Sequence, residues 1–396
     1  MNQTILKSQA GDISAEELLD RTRKLLPAIA ARRDEGDRLR DTPPITVEEI
    51  KAAKLTRVYQ PKRWGGFEAD PRTFYAIQNA MAEVCPSTAW VYGVHAIQPF
   101  LIAGMGDRVQ EEVWGDDQDT LCASSTAPVG KAERVDGGFR LSGRWTFSSG
   151  SSFTKWAMVG ARIKDQAPPT SGPLPMELFL IPSSDYEILD VWDTFGLRAT
   201  GSNDLVAKDI FVPDHRHITV TGGLTNLTSA QTDLPRLYRL PWLYMFSSTI
   251  NNLAIGTARG ALGAFVEMAR KRVSPINGKV LRDDPLTSLA ITKLMTEIEN
   301  AEAMYTRHIG AFFDHIDRDQ ALPAQDALVY RSQMTSVARR ISAILDELTL
   351  MQGSRALFRE SLLTRFWLDM MAARTHIGND PGGPGGMLGQ MMLAEG

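Results

Sequence analysis

Cysteine is scarce in this 396-residue chain, which contains only Cys85 and Cys122. Two cysteines are too few for a disulfide framework or a structural zinc cluster. The first twenty residues lack an apolar signal core, and no apolar run approaches the roughly 20 residues that a membrane helix needs. We therefore expect a cytoplasmic protein with no membrane partner.

Excess positive charge and nucleotide motifs are also missing. The net charge is -4, so the chain offers no field that would attract nucleic acid. It contains neither a Walker A loop nor a GxGxxG sequence that opens a helix after a strand. These absences argue against nucleotide hydrolysis and against tight NADH binding. His215 and His217 form an HxH pair without a third ligand nearby, so we expect no metal.

What the chain does contain is a helical, then β-rich, then helical order. Helical spacing of apolar residues predicts an N-terminal helical domain over residues 1–120. Short runs such as Phe139–Ser142, separated by turns, predict a middle antiparallel β domain over residues 121–222. Long helical periods return in residues 223–396 and predict a bundle. The fold class is therefore mostly α with a central β domain.

Four blocks of sequence, in this order, resemble the flavin monooxygenases of the acyl-CoA dehydrogenase superfamily. They are Tyr59–Gly66, Arg144–Gly150, Gly196–Asn203 with Lys208–Pro213, and Arg365–His376. The resemblance is greatest to the oxygenase components that act on secosteroid phenols, and is more distant to those that act on p-hydroxyphenylacetate. It implies an acyl-CoA dehydrogenase-like fold with a C-terminal four-helix bundle, assembled as a homotetramer with flavin between the β domain and the bundle.

The same resemblance implies an activity and its partners. Reduced FMN or FAD would react with O₂ to give a C4a-hydroperoxide, which hydroxylates an aromatic substrate such as a phenol or an indole. The flavin would be diffusible, and a separate NADH-dependent flavin reductase would supply its electrons.

Several polar residues and one tryptophan are candidates for the flavin side of the site. Trp145 could form a flat apolar wall for the ring, with Ser148 and Ser149 at its edge. Taken alone, these residues are more typical of a core tryptophan and of turn serines. By similarity, Ser149 would lie near flavin N5 and stabilise the C4a-hydroperoxide, and Ser124, a catalytic candidate, and Ser125 would face both substrate and flavin. The remaining flavin-side candidates are Ser202 and Arg272. Arg272 also suits a simple helix-end charge.

On the substrate side, His376 occupies the place of the carboxylate base of acyl-CoA dehydrogenases. A histidine suits phenol deprotonation because its ordinary pKa lies near the working pH; the alternative is a helix cap. Asp380 resembles an aspartate that orients a polar group of the site. Gln98, Trp90 and His95 are the other substrate-side candidates, although His95 is offset by three residues from the position that the family uses.

Three other functions remain open from the sequence. A true acyl-CoA dehydrogenase or oxidase would need a carboxylate base, and Glu360 comes too early in the sequence for that role. The alternatives are an N-hydroxylating monooxygenase of the same fold, or a scaffold protein without activity. The glycine-rich stretch 381–389 predicts a mobile loop that could cover an apolar ligand, or a loose terminus.

Overall fold

The computed structural model describes residues 13–166, 175–220, 234–273, 278 and 280–394. Within these ranges, six α-helices precede seven strands, and six more α-helices follow. No helix of the described ranges is long and apolar enough to cross a membrane.

One of the six N-terminal helices is buried along its whole length. The six helices are α1 (Ala15–Ala31), α2 (Arg33–Leu39), α3 (Pro44–Ala52), α4 (Pro71–Ala82), α5 (Pro86–Ala103) and α6 (Asp107–Trp114). Every residue of α5 is buried, as expected for a helix that is apolar on all sides. Helix α5 packs on α4, on α7 (Trp242–Lys271) and on the first strand of the sheet, so it lies where the domains meet.

The strands form one seven-stranded sheet in the order β5-β6-β2-β1-β3-β4-β7. They are β1 (Cys122–Val135), β2 (Gly138–Ser148), β3 (Trp156–Ile163), β4 (Met176–Pro182), β5 (Glu187–Leu189), β6 (Asn203–Pro213) and β7 (His217–Val220). All strands lie inside the predicted β region, whose boundary at residue 222 falls outside the described residues.

The expectation of a purely antiparallel sheet was wrong at one pair, because β1 and β3 run parallel. The reason is the path of the chain. Strand β2 returns antiparallel to β1, and the chain then crosses to the far edge of β1 before entering β3. Strand β3 runs opposite to β2, so it runs in the same direction as β1.

The C-terminal helices are α7, α8 (Pro285–Asp317), α9 (Ala324–Thr335), α10 (Val337–Gln352), α11 (Leu362–Ala373) and α12 (Gly382–Ala394). Helices α7, α8, α10 and α11 pack together as the four-helix bundle, which confirms the predicted fold.

The predicted glycine-rich loop is instead the helix α12, which packs on α9. Glycine lowers helix propensity, but tertiary packing and a cap at the first turn can offset that cost. The cap here is Asp380, whose Oδ1 accepts the Gly382 N–H over 3.1 Å.

Candidate active site

Trp90 joins the β domain to the end of the bundle. Its indole Nε1–H donates to Ser149 Oγ over 2.9 Å, and the edge of its ring meets His376, with centroids 5.6 Å apart. Ser149 Oγ lies 2.7 Å from Ser202 Oγ. Four residues singled out in the sequence therefore meet here, from α5, the end of β2, the segment before β6 and the end of α11.

Gln98 lies two helical turns after Trp90 on α5 and contacts the start of β1. Its side-chain amide donates to the Val94 carbonyl over 3.0 Å and to Ser124 Oγ over 2.9 Å. Ser125 points elsewhere and donates to the Thr146 carbonyl over 2.8 Å. Gln98 and Ser124 thus form a second buried polar pair beside the first group.

His95 supports the turn that carries Ser149. Its Nε2 lies 3.1 Å from the Gly150 carbonyl, which can only accept, so Nε2 carries the hydrogen. Burial lowers the pKa of His95 to about 4. Gly150 has φ +63°, and a Cβ there would lie 2.6 Å from that Nε2. The assignment of His95 to substrate binding stays a prediction beside this structural contact.

His376 follows α11 in extended backbone and caps a short 3₁₀ turn. Its Nδ1 accepts the Gly378 N–H over 2.9 Å, and Asn251 of α7 holds the same turn by donating to the Gly378 carbonyl over 2.7 Å. Burial lowers the pKa of His376 to about 4, so the ring is neutral near pH 7.

The hydrogen-bond pattern of His376 fixes its tautomer. Because the Nδ1 lone pair is occupied, the neutral ring carries its hydrogen on Nε2 and can only donate from that atom. The expectation that His376 removes a phenol proton does not agree with this pattern. The ring can instead donate a hydrogen bond to a ligand oxygen.

Trp145 is a core residue, contrary to the expected flavin wall. Its ring is fully buried, and its Nε1–H donates to the Gly160 carbonyl over 2.6 Å. A Cβ on Gly130 or on Gly143 would lie 2.6 Å from the indole, so both glycines make room for it. No face of this indole is open to a ligand.

The aromatic ring at the end of β2 that is open to solvent belongs to Phe147, which sequence analysis did not single out. A bulge causes this: Trp145 pairs with Leu205 and Ser148 with Asn203, so β2 has one extra residue there. Phe147 takes φ +61° and its side chain is 68% exposed. An extra residue in a strand reverses the alternation of side chains beyond it.

Ser148 is turned into the protein by the same bulge. Its Oγ is buried and has no hydrogen-bond partner among the described residues. A buried hydroxyl without a protein partner is available to a ligand or to a water molecule. The exposed Phe147 ring is thus compatible with a flat ligand, and the residues that follow it carry the buried Ser148 and Ser149 hydroxyls.

Arg272 and Asp380 are committed to structural contacts. Arg272 donates to the Met351 and Gln352 carbonyls at the end of α10, and its assignment to flavin stays a prediction. Asp380 caps α12 and forms a salt bridge of 2.9 Å with Arg339. Neither side chain contacts the group around Trp90.

The two histidines of the HxH pair contact different carboxylates. His215 Nε2 lies 2.8 Å from Glu112 and His217 Nε2 lies 2.7 Å from Glu177. Among the described residues, no group of three or more His, Cys, Asp and Glu side chains could hold a metal ion.

Fold and site together define a flavin-dependent enzyme of the acyl-CoA dehydrogenase type, and comparison with known proteins agrees. The N-terminal domain model of acyl-CoA dehydrogenase matches residues 14–116, and the C-terminal domain model matches residues 248–381. The chain is similar to the flavin-dependent monooxygenase oxygenase subunit HsaA of Mycobacterium tuberculosis, with 36% identity over 93% of each chain.

Two further relatives agree with this assignment. The FADH(2)-dependent resorcinol hydroxylase oxygenase component of a Rhizobium species is 30% identical, over 89% of this chain and 88% of that one. The crystal structure of 3-HSA hydroxylase from a Rhodococcus species superposes with a TM-score of 0.87 and 33% identity, over 96% of this chain and 97% of that one. The chain belongs to the family of flavin-dependent monooxygenase oxygenase subunits with the acyl-CoA dehydrogenase fold.

Proposed function

We propose that this protein is the oxygenase component of a two-component monooxygenase that hydroxylates a phenol or an indole. The observation that carries the proposal is the position of Trp90. Its indole N–H donates to Ser149, and its ring makes a T-shaped contact with the ring of His376, so one buried residue contacts both a flavin-side hydroxyl and a substrate-side donor.

The flavin would be held at the end of β2. In this proposal the Phe147 ring stacks on the isoalloxazine, and Ser148, Ser149 and Ser125 contact its polar edge. Reduced FMN or FAD, once bound, supplies the electrons that activate O₂. The protein's part is to exclude water and to fix the flavin and the substrate relative to each other.

The substrate would lie between His376 and the Gln98–Ser124 pair. With a phenolic substrate, the Nε2–H of His376 donates to the hydroxyl oxygen and orients the ring carbon that is attacked. Gln98 and Ser124 are nearly fully buried and carry no formal charge, so this part of the site suits a neutral aromatic compound. The entrance would lie at the turn after His376, where Ile377 is 80% exposed.

Variants of His376 test its proposed role with the aromatic compound that the wild type hydroxylates best. His376→Asn keeps an N–H donor and should keep a larger share of product per reduced flavin than His376→Ala, which we expect to lose at least tenfold. The two variants should bind reduced flavin equally well. Equal product from His376→Ala and the wild type would remove His376 from the mechanism.

A true acyl-CoA dehydrogenase is not favoured. That reaction needs a carboxylate base, but His376 stands at the corresponding place and Glu360 is exposed to solvent. Reduction of bound flavin by an acyl-CoA under anaerobic conditions would restore this alternative.

The assembly that we propose is a homotetramer served by a separate NADH-dependent flavin reductase, in the cytoplasm. Several large apolar side chains of the C-terminal helices and their connections are exposed in the single chain: Leu286, Leu289, Met295, Leu350, Leu357 and Phe358. Exposed apolar surface of this extent favours burial against other subunits. Light scattering should give four times the mass of one chain.

Anaerobic titration with FMN and FAD in both redox states tests the proposed function with the wild-type protein. We expect tight binding of reduced flavin and weaker binding of oxidised flavin, since an oxygenase of this kind must capture the reduced form and release the oxidised one. Tight oxidised flavin that survives gel filtration would contradict the proposal.

A further inference from the structure

The hydrogen bonds behind Ser149 run through three hydroxyl groups. Ser149 Oγ lies 2.7 Å from Ser202 Oγ, which lies 2.7 Å from Thr200 Oγ1. Thr200 Oγ1 in turn lies 2.9 Å from the Leu197 carbonyl. We call Thr200, Ser202 and Ser149 the hydroxyl relay. All three residues are buried, so none of them can exchange these partners freely for water.

The direction of every hydrogen in the hydroxyl relay follows from its last contact. A carbonyl only accepts, so the single hydrogen of Thr200 points at Leu197. Ser202 must then donate to Thr200, because two oxygens cannot lie 2.7 Å apart without a hydrogen between them. Ser202 has no second hydrogen, so Ser149 donates to Ser202.

Ser149 is therefore left with no hydrogen to offer. Its hydrogen is used on Ser202, and one lone pair receives the Trp90 Nε1–H. The remaining lone pair of Ser149 can only accept. A ligand atom that faces Ser149 must bring its own hydrogen.

The reduced and oxidised forms of flavin differ in whether N5 carries a hydrogen that it can donate. The reduced ring carries a hydrogen on N5, whereas the oxidised ring has a bare N5 that can only accept. We propose that Thr200, through the hydroxyl relay, makes Ser149 a fixed acceptor and thereby selects the reduced flavin over the oxidised one. This inference rests on the proposed function, because it needs flavin N5 beside Ser149.

Leu197, whose carbonyl accepts the hydrogen bond from Thr200, is held by hydrogen bonds at both its N–H and its carbonyl. Leu197 has φ +51°, which is costly for a residue with a side chain. Asp369 of α11 accepts the Leu197 N–H over 2.6 Å, and Trp192 Nε1–H donates to the Leu197 carbonyl over 3.0 Å. These contacts hold the carbonyl in place, so the direction of the relay is set by the fold before any flavin arrives.

Thr200→Val tests the proposal, because it removes the hydroxyl and keeps the shape of the side chain. Ser202 could then donate to Ser149, which would free the Ser149 hydrogen for the N5 of oxidised flavin. We expect the ratio of dissociation constants, oxidised over reduced, to fall about tenfold, mainly through tighter oxidised flavin. The midpoint potential of the bound flavin should become more negative, because the oxidised form is then bound more tightly relative to the reduced form.

Two further variants and one control make the test decisive. Ser202→Ala also frees the Ser149 hydrogen and should lower the ratio, whereas Thr200→Ser keeps the relay and should preserve it. Thr194→Val is the matched control, since Thr194 donates to the Gly196 carbonyl over 2.9 Å outside the relay. An unchanged ratio in both Thr200→Val and Ser202→Ala, or equal weakening of both redox states, would overturn the inference. Absence of flavin binding by the wild type would instead refute the proposed function.

Discussion

Two sides of the candidate site are built in different ways. The helical wall consists of Trp90, His95 and Gln98 on α5, with His376 after α11. The strand-end wall consists of residues 147–150 and 197–202. The helical wall has ordinary backbone, whereas Phe147, Gly150, Leu197 and Gly201 of the strand-end wall all take positive φ.

This difference shows where strain is stored. Left-handed backbone costs of order 1 to 2 kcal/mol for a residue with a side chain, and the strand-end wall contains two such residues, Phe147 and Leu197. Contacts hold Leu197 and the turn at Gly150 in place: Asp369 and Trp192 bind Leu197, and His95 contacts the Gly150 carbonyl. The strand-end wall thus depends on contacts from α5, from α11 and from the segment between β5 and β6.

The largest expected effect separates Trp145 from Phe147, the two aromatic residues near the end of β2. Trp145→Ala should lower the free energy of unfolding by about 3 to 5 kcal/mol, because it empties a buried site. Phe147→Ala should change the free energy of unfolding by less than about 0.5 kcal/mol, because the ring is exposed. The same variant should weaken the binding of reduced flavin at least tenfold. Urea unfolding and anaerobic flavin titration of both variants measure this. If neither variant binds reduced flavin more weakly than the wild type, the assignment of Phe147 to the flavin site is wrong.

The next effect concerns Asp369, which connects helix α11 to the strand-end wall. Burial raises the pKa of its carboxyl to about 7, and the charged groups that face it are Asp37, Arg365 and Arg198. Because this pKa lies above the ordinary value of 3.8, the folded protein binds more protons than the unfolded chain between these two pH values.

The contribution of Asp369 to stability is therefore complete below about pH 4 and is lost as the pH rises to about 7, by up to about 4 kcal/mol. Asp369→Asn cannot titrate, so its stability relative to the wild type should increase across this window. Denaturation at several pH values tests this, with the exposed Asp209→Asn as control. Parallel curves for Asp369→Asn and the wild type would show that the carboxyl does not titrate there.

A smaller effect should distinguish two glycines with similar backbone. Gly137 has φ +72° and leaves open space within 4 Å of where a Cβ would lie, whereas a Cβ on Gly150 would meet His95. Gly137→Ala should cost about 1 kcal/mol. Gly150→Ala should cost about 3 kcal/mol, since overpacking adds to the strain, and should weaken flavin binding. Equal costs would mean that His95 does not constrain the turn.

The sequence indicates the geometry of the helical wall more directly than that of the strand-end wall. The resemblance singled out Trp90, Gln98 and His376, and helical spacing places Trp90 and Gln98 on one face of α5. For β2, regular alternation puts Phe147 on the same face as the buried Trp145. The bulge that reverses this alternation depends on pairing with β6, a strand more than fifty residues away, and a single strand gives no sign of it.

The sequence alone could not predict the hydrogen positions of His376 and of the hydroxyl relay either. His376 was expected to be a base because histidine often is one, but its tautomer depends on the Gly378 amide. Thr200 was not singled out because a threonine inside a turn has no signal of its own. Its importance follows only from the contacts with Ser202 and Leu197.

One measurement tests the central claim most directly. The protein is loaded with one equivalent of reduced flavin and mixed with ¹⁸O₂ and a panel of phenols and indoles, in the absence of any reductase. The account predicts a hydroxylated product that carries a single ¹⁸O atom, with at most one product molecule per flavin. If flavin is oxidised with only H₂O₂ formed across the panel, while an acyl-CoA reduces the bound flavin in a parallel anaerobic sample, the account is contradicted.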